Sequence, residues 1–120
     1  MNIEEIREYC LSKKGVTEDF PFDDETLVLK VIGKMFVLIS LEKIPLQLNV
    51  KCDPEEAIEL REKYESVLPG YHMNKKHWNT IIIDGSVHSK EIKNWIDNSY
   101  TLVIQGLKKS DREELLKVRD

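Results

Sequence analysis

The chain has 120 residues, 41% of them hydrophobic and 33% charged, a length that suits one domain burying roughly 65% of the surface its unfolded form exposes. That balance excludes a disordered chain, and no apolar run approaches the roughly 20 residues that span a bilayer, so a soluble protein with no membrane partner is expected. The formal charge of −4 argues against the broad cationic footprint of a protein that coats nucleic acid non-specifically, so any such contact must be local.

The N-terminal segment, Met1-Asn2-Ile3-Glu4-Glu5-Ile6-Arg7-Glu8, is acidic and amphipathic. It lacks the basic start and apolar stretch of a secretory signal, which makes the cytoplasm the expected location. Ile3, Ile6, Tyr9 or Cys10 and Lys13 recur at helical spacing and predict a helix from about Asn2 to Lys13, with Asn2 as its cap. Glu4, Glu5 and Glu8 favour its positive end and Lys13 and Lys14 its negative end, and Gly15 supplies the conformation that ends it. The three acids read as solvated helix residues rather than as a metal site.

After the turn-rich stretch Asp19-Phe20-Pro21-Phe22-Asp23-Asp24, three β-rich runs follow: Thr26 to Ile32, Met35 to Leu41 and Pro45 to Val50. They predict an antiparallel meander, with Gly33-Lys34 as a two-residue hairpin connection and Lys43-Ile44-Pro45 separating the next pair. Alternation puts Leu27, Leu29 and Val31 on one face and Val28, Lys30 and Ile32 on the other; Leu46, Leu48 and Val50 likewise oppose Gln47, Asn49 and Lys51.

Cys52-Asp53-Pro54-Glu55-Glu56 is a helix start, with Asp53 as N-cap, Pro54 first in the helix and Glu56 closing a capping box. The helix is expected to run to about Ser66, burying Ala57, Leu60, Tyr64 and Val67. A break at Pro69-Gly70 precedes a strand from Trp78 to Asp84, ended by Asp84-Gly85. Ser86 or Ser89 is then expected to cap a long helix through about Gln105, whose core face is Ile92, Trp95, Ile96, Tyr100, Val103 and Leu107. Ser110-Asp111-Arg112-Glu113 reads as a second capping box, opening a short final helix with Leu115, Leu116 and Val118. The order predicts a single layered α+β domain over 1–120, with helices on one face of an antiparallel sheet and the other face free for contacts. Cys10 and Cys52 lack a CxxC context and an export signal, so both read as free thiols.

The densest group of cations, imidazoles and amides lies in Leu68-Pro69-Gly70-Tyr71-His72-Met73-Asn74-Lys75-Lys76-His77-Trp78-Asn79-Thr80. Rings interleaved with amines and amides suit an anionic partner, since rings stack while the polar groups contact oxygen. If that partner is DNA, Lys75 and Lys76 take phosphates and Asn74 and Asn79 make polar contacts. His72, His77, Tyr71 or Trp78 then stack or position, and Lys34 at a hairpin tip acts as a wing. The competing reading buries Trp78 and Tyr71, has His77 satisfy a backbone group, and leaves the lysines solvating a loop. A protein-interaction or small-anion-binding module using the same surface is the alternative function.

His72, His77, Asp84 and Cys52 are chemically capable, yet no G-x-S-x-G elbow, P-loop, HExxH or Cys-His spacing accompanies them, so no enzymatic activity is expected. His72 and His77 stand five positions apart with no thiolates to complete a tetrahedral site. No metal or other cofactor is expected, and the chain reads as a monomer.

Phe20-Pro21-Phe22-Asp23, Lys34-Met35-Phe36, the segment from Pro69 to Thr80, and Ser99-Tyr100 occur in this order, and in them the chain resembles the MmcQ/YjbR-like family. The resemblance spans about Ile3 to Leu107, and P-G-Y-H-M-N-K-x-H-W-N is its specific part. It implies a bacterial protein with a CyaY-like α+β fold, similar to that of frataxin, and a double-wing type of DNA binding. His88 and Ser89 depart from the Pro and acid that many relatives carry there, which bears on the helix start. The frataxin likeness invites an iron hypothesis, but the first helix lacks an extended acidic ridge.

Overall fold

In the computed structural model, which describes residues 1–70 and 73–118, six strands form one antiparallel sheet in the order β1-β2-β3-β4-β6-β5. The strands are β1 (Val16–Asp19), β2 (Thr26–Val31), β3 (Lys34–Ser40), β4 (Leu46–Lys51), β5 (Val67–Pro69) and β6 (Trp78–Ile83). The helices are α1 (Ile3–Leu11), α2 (Pro54–Lys63), α3 (Ser89–Gln105) and α4 (Lys109–Lys117). The expected α+β layering is present: Ile6 and Cys10 of α1, Trp95 and Ile96 of α3 and Leu115 of α4 join Leu29, Leu48 and Ile81 of the sheet in one apolar cluster. Each fully buried Leu, Ile or Phe there contributes roughly 1.5–3 kcal/mol.

Two predicted helix caps form. Asn2 Oδ1 accepts from the Glu5 amide at 2.8 Å, and Asp53 Oδ2 accepts from the Glu55 and Glu56 amides at 3.2 and 3.3 Å. Two others differ. α3 is capped by His88, whose Nδ1 accepts from the Lys90 amide at 3.1 Å, rather than by Ser86 or Ser89. Ser86 instead donates its amide and hydroxyl to Asp84 at 2.9 and 2.6 Å, holding the turn after β6. The Ser110 box does not form, because α4 begins one residue earlier, at Lys109, and leaves Ser110 inside the helix; Leu115 is buried but Leu116 is exposed. α2 stops at Lys63, where Tyr64 turns extended (φ −123°, ψ 122°), so Val67 enters the core from β5 rather than from the helix.

Strands β1 and β5 escaped prediction because each is a short edge strand, four and three residues long, with too few residues to display an alternation. The β2–β3 turn also shifts by one residue. Val31 pairs with Lys34, so the two-residue loop is Ile32-Gly33, both with positive φ (46° and 79°). That is the backbone of a hairpin turn matching the strand twist, but a β-branched residue there is strained by roughly 1–2 kcal/mol. The Ile32 side chain packs on the apolar cluster, which offsets the cost.

Strand β3 breaks its alternation at a bulge. Leu29 faces Val37 and Lys30 faces Met35, leaving Phe36 unpaired between them; Phe36 and Val37 therefore both enter the helix-side core. The bulge frees the Phe36 carbonyl, and Ser99 of α3 donates its hydroxyl to it at 2.6 Å while accepting the Lys51 amide at 2.9 Å. The Tyr100 ring stands edge-on to Phe36 at 5.4 Å, and its hydroxyl donates to the Lys14 carbonyl at 2.5 Å. Lys34-Met35-Phe36 and Ser99-Tyr100 thus form one lock between α3 and the sheet.

The face of the sheet away from the helices is less open than alternation implies. Val28, Leu38 and Trp78 form a second apolar cluster there, against which Met35 and Met73 pack.

Candidate functional site

The segment expected to carry function leaves β5 at Pro69 and returns as β6 at Trp78. Its base is closed by backbone contacts. The Gly70 amide donates to the Trp78 carbonyl at 3.0 Å and the Cys52 amide to the His77 carbonyl at 2.7 Å. A Cβ at Gly70 would lie 2.9 Å from the Trp78 Cβ and 3.0 Å from its carbonyl oxygen, so only glycine admits this approach. Beyond it, the Met73 amide donates to the Gly70 carbonyl at 2.9 Å and the His77 amide to the Asn74 carbonyl at 3.0 Å. Asn74 Oδ1 accepts the Lys76 amide at 2.9 Å, a side-chain turn of the kind asparagine favours.

The segment is fastened from beneath by a residue that drew no attention in the sequence. Arg61, on α2, donates Nε to Asn79 Oδ1 at 2.7 Å, and Nη2 to the Lys75 carbonyl and, at 3.4 Å, to the Trp78 carbonyl. Asn79 Nδ2 in turn donates to the Ala57 carbonyl at 3.3 Å. A planar guanidinium suits this task because its donors diverge in a fixed fork. Nothing in the local sequence distinguishes Arg61 from the solvated charges around it; only the contact across 18 residues does.

The structure divides the expected site residues. Asn79 is 1% exposed and Trp78 8% exposed, so neither offers its side chain to a partner: Asn79 is spent on Arg61 and Ala57, and Trp78 on Val28 and Leu38. These two expected contacts are corrected to structural roles. Tyr71 and His72 lie outside the described residues. Asn74, Lys75 and Lys76 are exposed and His77 partly so, and Lys34 is exposed at the start of β3.

Register places these residues at one end of the sheet. Val31 faces Lys34, and Lys51 faces Trp78, so the β2–β3 turn, the end of β4 and the 74–77 turn share an edge. Lys34 and the start of β6 are separated by two strand spacings, roughly 10 Å. Lys34, Lys51, Lys75 and Lys76 gather there, whereas Asp23, Asp24, Glu25, Glu42 and Asp84 sit in the loops at the opposite end, roughly 20 Å away along β3.

Other reactive side chains are quiescent. Both cysteines are free and buried. Burial pushes the Cys10 thiol up to about 12, and burial with the Glu56 and Asp53 charges pushes Cys52 up to about 11. Neither is poised as a thiolate. Asp84 accepts two hydrogen bonds from Ser86, which hold its carboxyl below the usual range. Among the described residues no group of three or more His, Cys, Asp or Glu side chains is arranged to hold a metal ion, and no helix is long and apolar enough to cross a membrane.

The YjbR family pattern matches residues 11–102. The chain is 37% identical over 97 residues to the uncharacterized protein YbdF of Escherichia coli O157:H7, covering 80% of this chain and 79% of that one. It is 30% identical over 118 residues to the uncharacterized protein YjbR of Escherichia coli strain K12, covering 98% and 100% of the two chains. The crystal structure of protein DR2400 of Deinococcus radiodurans superposes with a TM-score of 0.88 at 42% identity, over 95% of this chain and 87% of that one. A family pattern spanning the bulge lock and the Arg61-fastened turn, together with a 30% identical relative matched along its whole length, establishes that the chain belongs to the YjbR family.

Proposed function

We propose that the protein is a non-catalytic, CyaY-like domain that binds nucleic acid at the cationic end of its sheet, with the Lys34 hairpin and the 74–77 turn as two adjacent points of contact. The local gathering of cations carries this reading: in a chain of net charge −4, Lys34, Lys51, Lys75 and Lys76 meet at one end of the sheet, with Asp53, Glu55 and Glu56 at the start of α2 the nearest carboxylates, and Asp23, Asp24, Glu25, Glu42 and Asp84 lie at the other end. A local cationic edge attracts a polyanion even where the whole molecule repels it, because screening confines each field to about 8–10 Å. Lys75 and Lys76 contact phosphates, while Asn74 and His77 supply shorter-range polar contacts; such contacts position the protein without reading sequence. The CyaY-like assignment is supported by the family resemblance and by an antiparallel sheet backed by helices on one face. The absence of catalysis is supported by the raised thiol pKa values and by Asp84 being committed to its turn.

Fluorescence anisotropy with short labelled double- and single-stranded DNA, across roughly 50 to 200 mM salt, tests the reading. Affinity is expected to fall steeply with salt, and the Lys75→Ala/Lys76→Ala variant is expected to lower the slope of log K against log salt by roughly two. No binding at the lowest salt, or unchanged binding in the folded double variant, refutes it.

A further inference from the structure

Phe20-Pro21-Phe22-Asp23 is the one part of the family pattern that neither the core nor the cationic end accounts for. Phe22 is 63% exposed, and Phe20 is also open to solvent. Rings left in water in a folded domain commonly mark a contact surface. The 20–25 loop is tied to the 41–45 loop, where the Leu41 amide donates to the Glu25 carbonyl at 2.9 Å. Ile44 in that second loop is 97% exposed. Between the loops, on the sheet face away from the helices, lies a groove of about 560 Å³ walled by Phe22, Leu38 and Met73 and bordered by Glu25, Glu42 and Asn49. That volume falls in the range of a small-ligand or peptide side-chain pocket.

The polar groups of the groove are not self-satisfied. Asn49 is 6% exposed; its Oδ1 accepts from Thr80 at 2.6 Å, while its Nδ2 has no hydrogen-bond partner among the described residues. Glu25 and Glu42 both border the groove, and the neighbouring Glu42 carboxyl holds the Glu25 carboxyl above the usual carboxylate range. The two loops carry Asp23, Asp24, Glu25 and Glu42 against the single cation Lys43. Asp23 is already occupied, its Oδ1 accepting the Glu25 and Thr26 amides at 2.9 and 2.8 Å; of Asp24, Glu25 and Glu42, the two glutamates border the groove and are placed to receive a cation.

We propose that this groove docks a polypeptide segment in which an arginine or lysine is flanked by apolar side chains. The cationic head sits between the Glu25 and Glu42 carboxyls and its aliphatic stem lies along Phe22, whose ring face attracts the charge. The flanking apolar side chain fills the wall between Leu38 and Met73, and a segment backbone carbonyl takes the open Asn49 amide. A bare metal ion uses none of the apolar wall, and a nucleic acid is repelled by the carboxylates; the mixture of acceptors, one amide donor and aromatic surface matches a basic peptide. The docking lies at the end of the sheet opposite the cationic edge, so it stands or falls independently of nucleic-acid binding.

The test is titration of the isotopically labelled protein with a short peptide alternating arginine and leucine, alongside the same peptide with glutamate in place of arginine, and with spermidine. The basic peptide is expected to shift the amide resonances of Thr26, Ser40 and Asn49, the acidic peptide to shift none, and spermidine to bind at least about tenfold more weakly. Glu25→Gln/Glu42→Gln and, separately, Phe22→Ala are each expected to weaken the peptide roughly five- to tenfold, consistent with rim charges and one exposed anchor. Both alter exposed side chains, so their spectra should otherwise match the parent. Equal response to both peptides, spermidine binding as well as the peptide, shifts confined to the Lys34 and Lys76 end, or no shift at millimolar peptide each overturn the proposal.

Discussion

Replacing Arg61 by methionine is the most searching perturbation of the candidate site, because one side chain fastens the 74–77 turn from below without contributing to its exposed surface. The substitution keeps the aliphatic stem and removes the fork. Asn79 Oδ1 then loses the Arg61 donor at 2.7 Å, in a position 1% exposed to solvent, and the Lys75 carbonyl loses Nη2. The Trp78 carbonyl is affected less, since it keeps the Gly70 amide at 3.0 Å. One buried acceptor left bare costs about 1–3 kcal/mol, and a charge-assisted bond at a partly exposed carbonyl adds about 1 kcal/mol, giving an expected loss of about 2–4 kcal/mol. For a domain of this size that lowers Tm by roughly 8–16 °C. Urea unfolding measures the loss, and amide exchange at Lys76 and His77 locates it. A double-mutant cycle with Asn79→Leu, which removes both partners of the bond, is expected to show coupling of about 1–3 kcal/mol. A loss below about 0.5 kcal/mol, or a coupling near zero, refutes the view that Arg61 holds the turn.

Gly70→Ala drives a Cβ against the Trp78 backbone and is expected to cost about 2–3 kcal/mol, read by urea unfolding, with β5 losing its exchange protection first. Gly15→Ala meets Leu115 Cδ1 at 2.6 Å in a residue with φ +75°, so a loss of about 1–2 kcal/mol is expected; Leu115→Ala in the same background should relieve the clash and couple with it. Cys10 and Cys52 are expected to resist iodoacetamide at pH 8 in the native protein and to react in urea, measured by mass shift; fast native alkylation contradicts their burial. Alkaline titration tests the raised pKa values together. Burial, aided by the Asp97 carboxylate, lifts Tyr9 from 10.0 to about 12, while Cys10 and Cys52 rise from 9.0 to about 12 and about 11. The unfolded chain releases these protons first, so these three groups should lower stability between about pH 9 and 12 and leave it unaffected at neutral pH; a flat profile across that window contradicts the shifts.

Legibility followed the length of each element and the locality of its signals. Helices α2 and α3 could be read because an N-cap box or a long 3.6-residue stripe is written within one turn or along one face. β2, β3 and β4 were visible as runs of branched residues. β1 and β5 were not, because Val16-Thr17-Glu18-Asp19 and Val67-Leu68-Pro69 acquire strand geometry only from pairing with a neighbour. The β3 bulge was hidden for the same reason. Nothing in Met35-Phe36-Val37 declares that two successive residues face the same core; that depends on Ser99, whose hydroxyl donates to the Phe36 carbonyl and accepts the Lys51 amide that the bulge leaves open. The His88 cap was missed because histidine is an uncommon N-cap and two serines stood nearby with better propensity.

Within the candidate site, a cluster of polar and aromatic residues is visible in sequence, but the direction in which each points is not. Trp78 and Asn79 sit in the most specific part of the family pattern and are buried, whereas Lys34, Lys75 and Lys76 are exposed. Ser99, Tyr100, Phe36, Gly70 and Asn79 all satisfy or shape backbone that a bulge and a tight turn leave exposed, and this is a sufficient physical reason for those residue types at those positions whatever the function. A pattern that specifies shape so thoroughly carries little information about chemistry. What it leaves over is a short remainder of residues with exposed side chains: the lysines at one end of the sheet and Phe20 and Phe22 at the other. Contact with partners is therefore to be sought at those two ends, roughly 20 Å apart, rather than at the buried Trp78 and Asn79.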